Sequence, residues 1–200
     1  MKKLLLTSTG FANENIINQF NKLIDKPISQ IKILFVPTAA RSQEELKYVE
    51  ESKKELFELG ILKTNLRIIN LDKPVLFEEV KNFDMIYVCG GNTFYLLKKI
   101  RESGFDKVIK KFVALGKLYL GVSAGSILVC PNIEIAKPFD ENDINLTDLT
   151  GLNLIDVVVS PHYCLEDKSI IDSFKKKNKV IPLTDNQALL ILGDKIKLIE

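Results

Sequence analysis

Short apolar runs alternate with longer amphipathic ones along most of the chain. Leu4–Thr7, Lys32–Val36, Leu66–Asn70, Met85–Cys89 and Leu118–Val122 have the length and continuous hydrophobicity of parallel strands buried on both faces. Between them, 13–24 and 43–59 carry apolar residues at helical spacing. In the second of these, Leu46, Val49, Lys53, Leu56 and Leu59 fall mainly on one face, with other charged residues opposite. Ser42 with Glu45 three residues on reads as a capping box, and Gly60 as the stop. The alternation predicts an α/β fold, a three-layer sandwich with a mainly parallel sheet between helices. The tail changes rhythm. Ala188–Leu192 and Lys195–Ile199 flank Gly193-Asp194, which predicts a hairpin closing the sheet with antiparallel strands. Residues 130–160 are irregular, with Pro131 stopping a helix and a polar loop over 137–143. Such a loop beside a buried strand is a common carrier of function. With no repeat or linker in 200 residues, a single domain over 1–200 is expected.

Charge and cysteines narrow the classes. Lys+Arg 28 against Asp+Glu 26 leaves a net +2, which excludes the basic excess of a nucleic-acid binder. The run Lys175-Lys176-Lys177 fits a solvated helix end, where cations suit the dipole. No stretch is apolar for long enough to span a bilayer. Met1–Leu6 resembles the start of a leader, but Thr7-Ser8-Thr9-Gly10 ends the run, so a first core strand is expected. Cys89, Cys130 and Cys164 are too few and scattered for a disulfide framework or a zinc site, and their odd number points to a reducing cytoplasm. No metal or cofactor is expected.

The chemistry begins at Gly121-Val122-Ser123-Ala124-Gly125, a Gly-x-Ser-x-Gly directly behind an apolar strand. A serine on a sharp strand-to-helix turn needs neighbours without a Cβ two positions to either side, and the turn frees the next amide, Ala124 N–H, for an oxyanion. Serine is a weak nucleophile without a base, and the chain holds one histidine. His162 follows Val157–Pro161, at the C-terminal end of an apolar strand. For the acid that orients it, Asp140, Glu141, Asp143, Glu134 and Asp156 compete. A Ser…acid…His order favours a residue between 123 and 162. A second glycine site, Cys89-Gly90-Gly91-Asn92-Thr93, reads as a strand ending in a bend before a helix capped by Asn92 or Thr93. Its amides could supply the other oxyanion donor. No Walker lysine or G-x-G-x-x-G accompanies it.

Gly90-Gly91-Asn92-Thr93-Phe94, Gly121–Ser126 and Pro161-His162, in this order, together with Val36-Pro37-Thr38-Ala39, resemble the peptidase E (aspartyl dipeptidase) family, relatives of cyanophycinase. The resemblance runs over nearly the whole chain. It implies a flavodoxin-like or class I glutamine-amidotransferase-like sandwich and a Ser-His-acid hydrolase. It implies Ser123 as nucleophile, His162 as base, Gly91 and Ala124 as oxyanion amides, and Asp140 as acid with Glu134 in reserve. Members selective for N-terminal aspartate carry an arginine soon after the histidine. Here Tyr163–Lys168 follows, and no arginine lies beyond Arg101. Lys168, or Arg41 from the loop after the second strand, is left as the cation, so a strong aspartyl preference is not expected. The amidotransferases carry cysteine at the elbow, which argues against ammonia transfer here. The reading is a serine peptidase acting on short peptides through an acyl-enzyme, as monomer or homodimer, with no nucleic acid or membrane partner. An esterase and a catalytically silent binding protein on the same fold are the alternatives. A peptide panel beside a nitrophenyl-ester panel separates the first two.

Overall fold

Alternate residues of the same strands feed two different cores. Leu4, Leu34, Ile86 and Tyr119 point to one face of the sheet, and Leu5, Ile33, Tyr87 and Leu120 to the other. This follows from the two-residue period of a strand, and it explains why these runs are apolar throughout. The computed structural model describes residues 1–200.

The strands are β1 (Lys3–Thr7), β2 (Ile33–Val36), β3 (Leu66–Ile68), β4 (Met85–Val88), β5 (Leu118–Val122), β6 (Val158–Ser160), β7 (Val180–Pro182), β8 (Ala188–Leu192) and β9 (Lys195–Ile199). Seven form one sheet in the order β3-β2-β4-β5-β1-β8-β9. The first five run parallel, and β8 and β9 are antiparallel. The expected hairpin is thus present. A separate two-stranded parallel sheet pairs β6 with β7. The helices are α1 (Glu14–Leu23), α2 (Gln43–Glu58), α3 (Phe77–Val80), α4 (Thr93–Glu102), α5 (Phe105–Ala114), α6 (Ala124–Leu128) and α7 (Lys168–Lys175). Helices α1 and α2 cover one face of the large sheet, and α3 to α7 with the small sheet cover the other. The α/β three-layer expectation is borne out.

Local signals act as read. Ser42 and Glu45 form a reciprocal capping box at α2, and Gly60 takes φ +105° just beyond it. Two details differ. The third strand stops at Ile68, because it lies at the sheet edge with a partner on one side only. Leu46 is exposed, and only Val49 and Leu56 of α2 are fully buried. The irregular 130–160 segment contains one short 3₁₀ turn at Glu134–Ala136, yet Ile133, Ile135, Leu152 and Ile155 are buried in the core. No helix is long and apolar enough to cross a membrane.

Candidate active site

Strands β4, β5 and β1 end side by side, and the cleft opens over their carboxyl ends. Ser123 follows β5 with φ 49° and ψ −111°, a strained region for a residue with a Cβ. Packing fixes this conformation. A Cβ on Gly121 would collide with the Gly125 carbonyl, and one on Gly125 with the Val88 carbonyl of β4. The Ser123 amide donates to Thr7 O at 3.0 Å. The buried Ser126 hydroxyl sits 2.8 Å from both Thr7 O and Gly121 O, and the buried Tyr119 hydroxyl donates to Gly125 O at 2.7 Å. Neither Ser126 nor Tyr119 stood out in sequence beyond the motif itself.

His162 brings its Nε2 to 2.9 Å from Ser123 Oγ. It leaves β6 in the small sheet rather than a strand of the main one, and it too has a left-handed φ of 57°. Its Nδ1 lies 2.7 Å from Asp185 Oδ1. A carboxylate only accepts, so the ring carries its proton on Nδ1, donates to Asp185, and presents Nε2 as acceptor to the serine hydroxyl. Ser8, directly after β1, ties the pair together. Its hydroxyl accepts from the His162 amide at 2.7 Å and donates to Asp185 Oδ1 at 3.1 Å. Thr9 Oγ1 donates to the Asp185 carbonyl at 2.7 Å.

The expected contact of Asp140 with His162 is not made. The Asp140 carboxylate accepts from the Thr93 amide at 2.7 Å, at the first turn of α4. Free N–H groups and the positive end of the helix dipole draw a carboxylate there. Burial pushes the Asp140 carboxyl above its ordinary range, against the Thr93 hydrogen bonds. Glu134, the reserve, pairs with Lys137 at 3.0 Å. The acid on His162 is Asp185, in the turn before β8, so the three residues run Ser, His, Asp along the chain. A signal for it existed. A strand antiparallel to β1 begins where β1 ends, which puts the residues before β8 at the mouth of the cleft.

Gly91 adopts φ +128°, and a Cβ there would collide with the Ala39 carbonyl. Its N–H has no hydrogen-bond partner in the protein. Asn92 is the cap of α4, accepting from Tyr95 N at 2.9 Å, while its Nδ2 donates to Glu141 O at 2.8 Å. Asp140 and Asn92 together fasten the polar loop onto the Gly90-Gly91 bend. The cleft has a volume of about 610 Å³, and Ser123, His162, Asp185, Gly90 and Gly91 all line it. No group of three or more His, Cys, Asp or Glu residues is placed to hold a metal ion.

The sequence profile of peptidase family S51 matches residues 4–199. The chain belongs to peptidase family S51. It is thereby a serine peptidase. An uncharacterized peptidase of Listeria monocytogenes is 33% identical over 98% of this chain and 97% of its own length. Peptidase E of Shigella flexneri serotype 5b is 32% identical, over 82% of this chain and 69% of its own. A crystal structure of a candidate peptidase E protein from Listeria monocytogenes EGD-e superposes with a TM-score of 0.84 at 32% identity, over 99% of this chain and 98% of that one. A peptidase from an acI-B1 Actinobacterium shares the fold, with a TM-score of 0.71 at 21% identity.

Proposed function

We propose that this peptidase hydrolyses short peptides by covalent catalysis at Ser123, with His162 as general base and acid and Asp185 as the residue that orients the imidazole. One observation carries the reading: a strained serine hydroxyl 2.9 Å from an imidazole nitrogen whose other nitrogen meets a carboxylate at 2.7 Å. The Ser123 oxygen forms a bond to the peptide carbonyl carbon while its proton passes to His162 Nε2. Negative charge gathers on the carbonyl oxygen, where the amides of Gly91 and Ala124 are the proposed donors. Collapse breaks the C–N bond, and the His162 proton leaves with the amine. Water then attacks the acyl-serine by the same route, with His162 taking its proton. Collapse breaks the bond from the acyl carbon to the Ser123 oxygen, releases the acid product, and returns the proton from His162 to Ser123. Asp185 stays ionised throughout, stabilising the imidazolium.

Two measurements test this. Ser123→Ala and His162→Ala should each lose nearly all turnover on a dipeptide library, and the double variant should be little worse than either single one, because such residues act as a unit. Retention of more than about a tenth of wild-type rate by Ser123→Ala would remove the nucleophile from Ser123. A peptidyl phosphonate should label wild type at this residue alone.

A further inference from the structure

Many carboxylates of this protein sit beside lysines: Asp25 with Lys3, Asp84 with Lys26, Glu78 with Lys81. The cleft wall between Ser123 and α2 is different. Glu45, Glu51 and Glu55 line it from α2 and Asp140 from the polar loop, and no lysine or arginine lines the cleft at all. Arg41 is turned away. Asp143 grips its guanidinium at 2.8 and 3.2 Å, and it lies 4.8 Å over the Tyr95 ring. Lys168 is paired with Asp172 on α7. No cationic side chain therefore lines the cleft beside these carboxylates, although the Arg41 charge is felt at Glu45. Burial pushes the Glu55 carboxyl above its ordinary range, and the neighbouring charges of Glu51 and Glu58 add to this. Burial pushes Glu45 upward as well, but the Ser42 and Arg41 amides it accepts from, with the Arg41 charge, hold it below its ordinary range.

Two further features of the cleft fit an amphipathic cation. Behind the wall, the fully buried Tyr87 hydroxyl has no hydrogen-bond partner, and its polar neighbours Ser52, Cys89 and Glu55 all line the cleft. An unsatisfied hydroxyl buried just behind the cleft lining leaves a place for a bridging polar group beside Ser52 and Glu55. At the mouth, the lining side chains Tyr48 and Phe139 are both exposed, at 60% and 50%. Aromatic rings receive an aliphatic stem and attract the cation at its end.

We propose that this wall is a subsite for a basic side chain, lysine or arginine, of the peptide presented to Ser123. The inference rests on the peptidase reading and names its substrate class. The alkyl stem passes between Tyr48 and Phe139, and the cationic head meets Glu51 and Glu55. An aspartyl side chain in the same place faces like charge with no cation to bind it. Removing acids from the wall thus weakens binding of basic peptides and eases that of acidic ones.

The test is calorimetric binding to the Ser123→Ala variant, which holds peptides without turning them over. The probes are Lys-Leu and Leu-Lys, their norleucine counterparts, and Asp-Leu, each free and N-acetylated. One of the lysyl peptides should bind at least tenfold tighter than its norleucine counterpart, acetylated or not, and Asp-Leu weaker than either. Adding Glu51→Gln and Glu55→Gln, isosteric changes that leave the α2 cap untouched, should cut that ratio at least fivefold. Equal binding of lysyl and norleucyl peptides, or a ratio that the two substitutions do not move, overturns the proposal. So does a preference that disappears on acetylation, since the wall would then read the peptide's α-ammonium. Wild-type turnover is scored separately. Selective binding without hydrolysis removes the peptidase mechanism and keeps the subsite, whereas hydrolysis without selective binding does the reverse.

Discussion

On the Ser123 side of the cleft, the constraints come from main chain packed in the middle of the sheet. On the His162–Asp185 side, they come from side-chain hydrogen bonds between turns. Ser123 sits where Gly121, Gly125 and the β4 backbone leave no room for a Cβ, braced by the buried hydroxyls of Ser126 and Tyr119. His162 and Asp185 expose 51% and 62% of their side chains and are linked through Ser8. Under the proposed mechanism Ser123 must be held against backbone strain, and only close-packed backbone resists a relaxation worth ~1–3 kcal/mol. The same mechanism asks His162 to accept and return a proton, and a hydrogen-bonded ring on a turn can do so without disturbing a core.

The sharpest way to break this contrast is to add one methyl group on the rigid side. Gly125→Ala drives a Cβ into the Val88 carbonyl, and because neither backbone can yield, the cost should exceed the ~1–3 kcal/mol of ordinary overpacking. Denaturant unfolding should show a large loss of stability or no folded protein. A stable, active Gly125→Ala variant would show that the elbow is looser than its packing. On the other side the fold should survive and the chemistry suffer. Asp185→Asn keeps the shape but reverses the hydrogen-bonding preference on Nδ1, favouring the wrong tautomer, and kcat should fall ~10⁴-fold. Unfolding midpoints should stay near wild type, and the same substitution at Asp140 should do far less.

Ser8→Ala removes one charge-assisted hydrogen bond to Asp185 and the acceptor for the His162 amide. A loss of roughly 1.5 kcal/mol predicts about a tenfold fall in kcat with KM little changed. Asp140→Asn should have the smallest effect, less than about tenfold, because an amide oxygen can still accept from Thr93 N. The stability effect has a definite sign. The folded Asp140 carboxyl is raised, so folding disfavours its ionised form, and stability is gained as pH falls through that raised value. The Asn variant should therefore be at least as stable as wild type near pH 7, and lose that advantage below about pH 4, where the carboxyl is protonated in both states. Denaturation curves at the two pH values measure it.

The same contrast marks what could be read from sequence. Features fixed by local sterics were legible: the glycine pair around Ser123, the Gly-Gly bend, the Ser42–Glu45 cap, the two-faced strands. Being the one histidine, placed after an apolar run, was enough to single out His162, though not to tell that its strand belongs to a second sheet. The acid was not legible by spacing, because an acidic loop offers several carboxylates and chain order ranks them weakly. Asp140 went to a helix N-terminus instead. Asp185 was within reach of a topological argument, since the predicted antiparallel hairpin already implied which end of β8 lies at the cleft. Ser8 gave no signal at all, being one serine after one strand.

Strand β1 lies between β5 and β8, and its pairings join parts of the chain far apart: Thr7 meets Gly121 at a separation of 114 residues, and Ser8 meets Asp185 at 177. Loop closure over such distances must precede any reward from contact, so assembly of the central sheet is the slow event in folding. Helices can gather early through local contacts. Ser123 acquires its strain, and His162 its carboxylate, only when β1 is flanked on both sides. In a refolding experiment, helical signal should therefore return well ahead of peptidase activity, and a partly assembled chain carries no working protease.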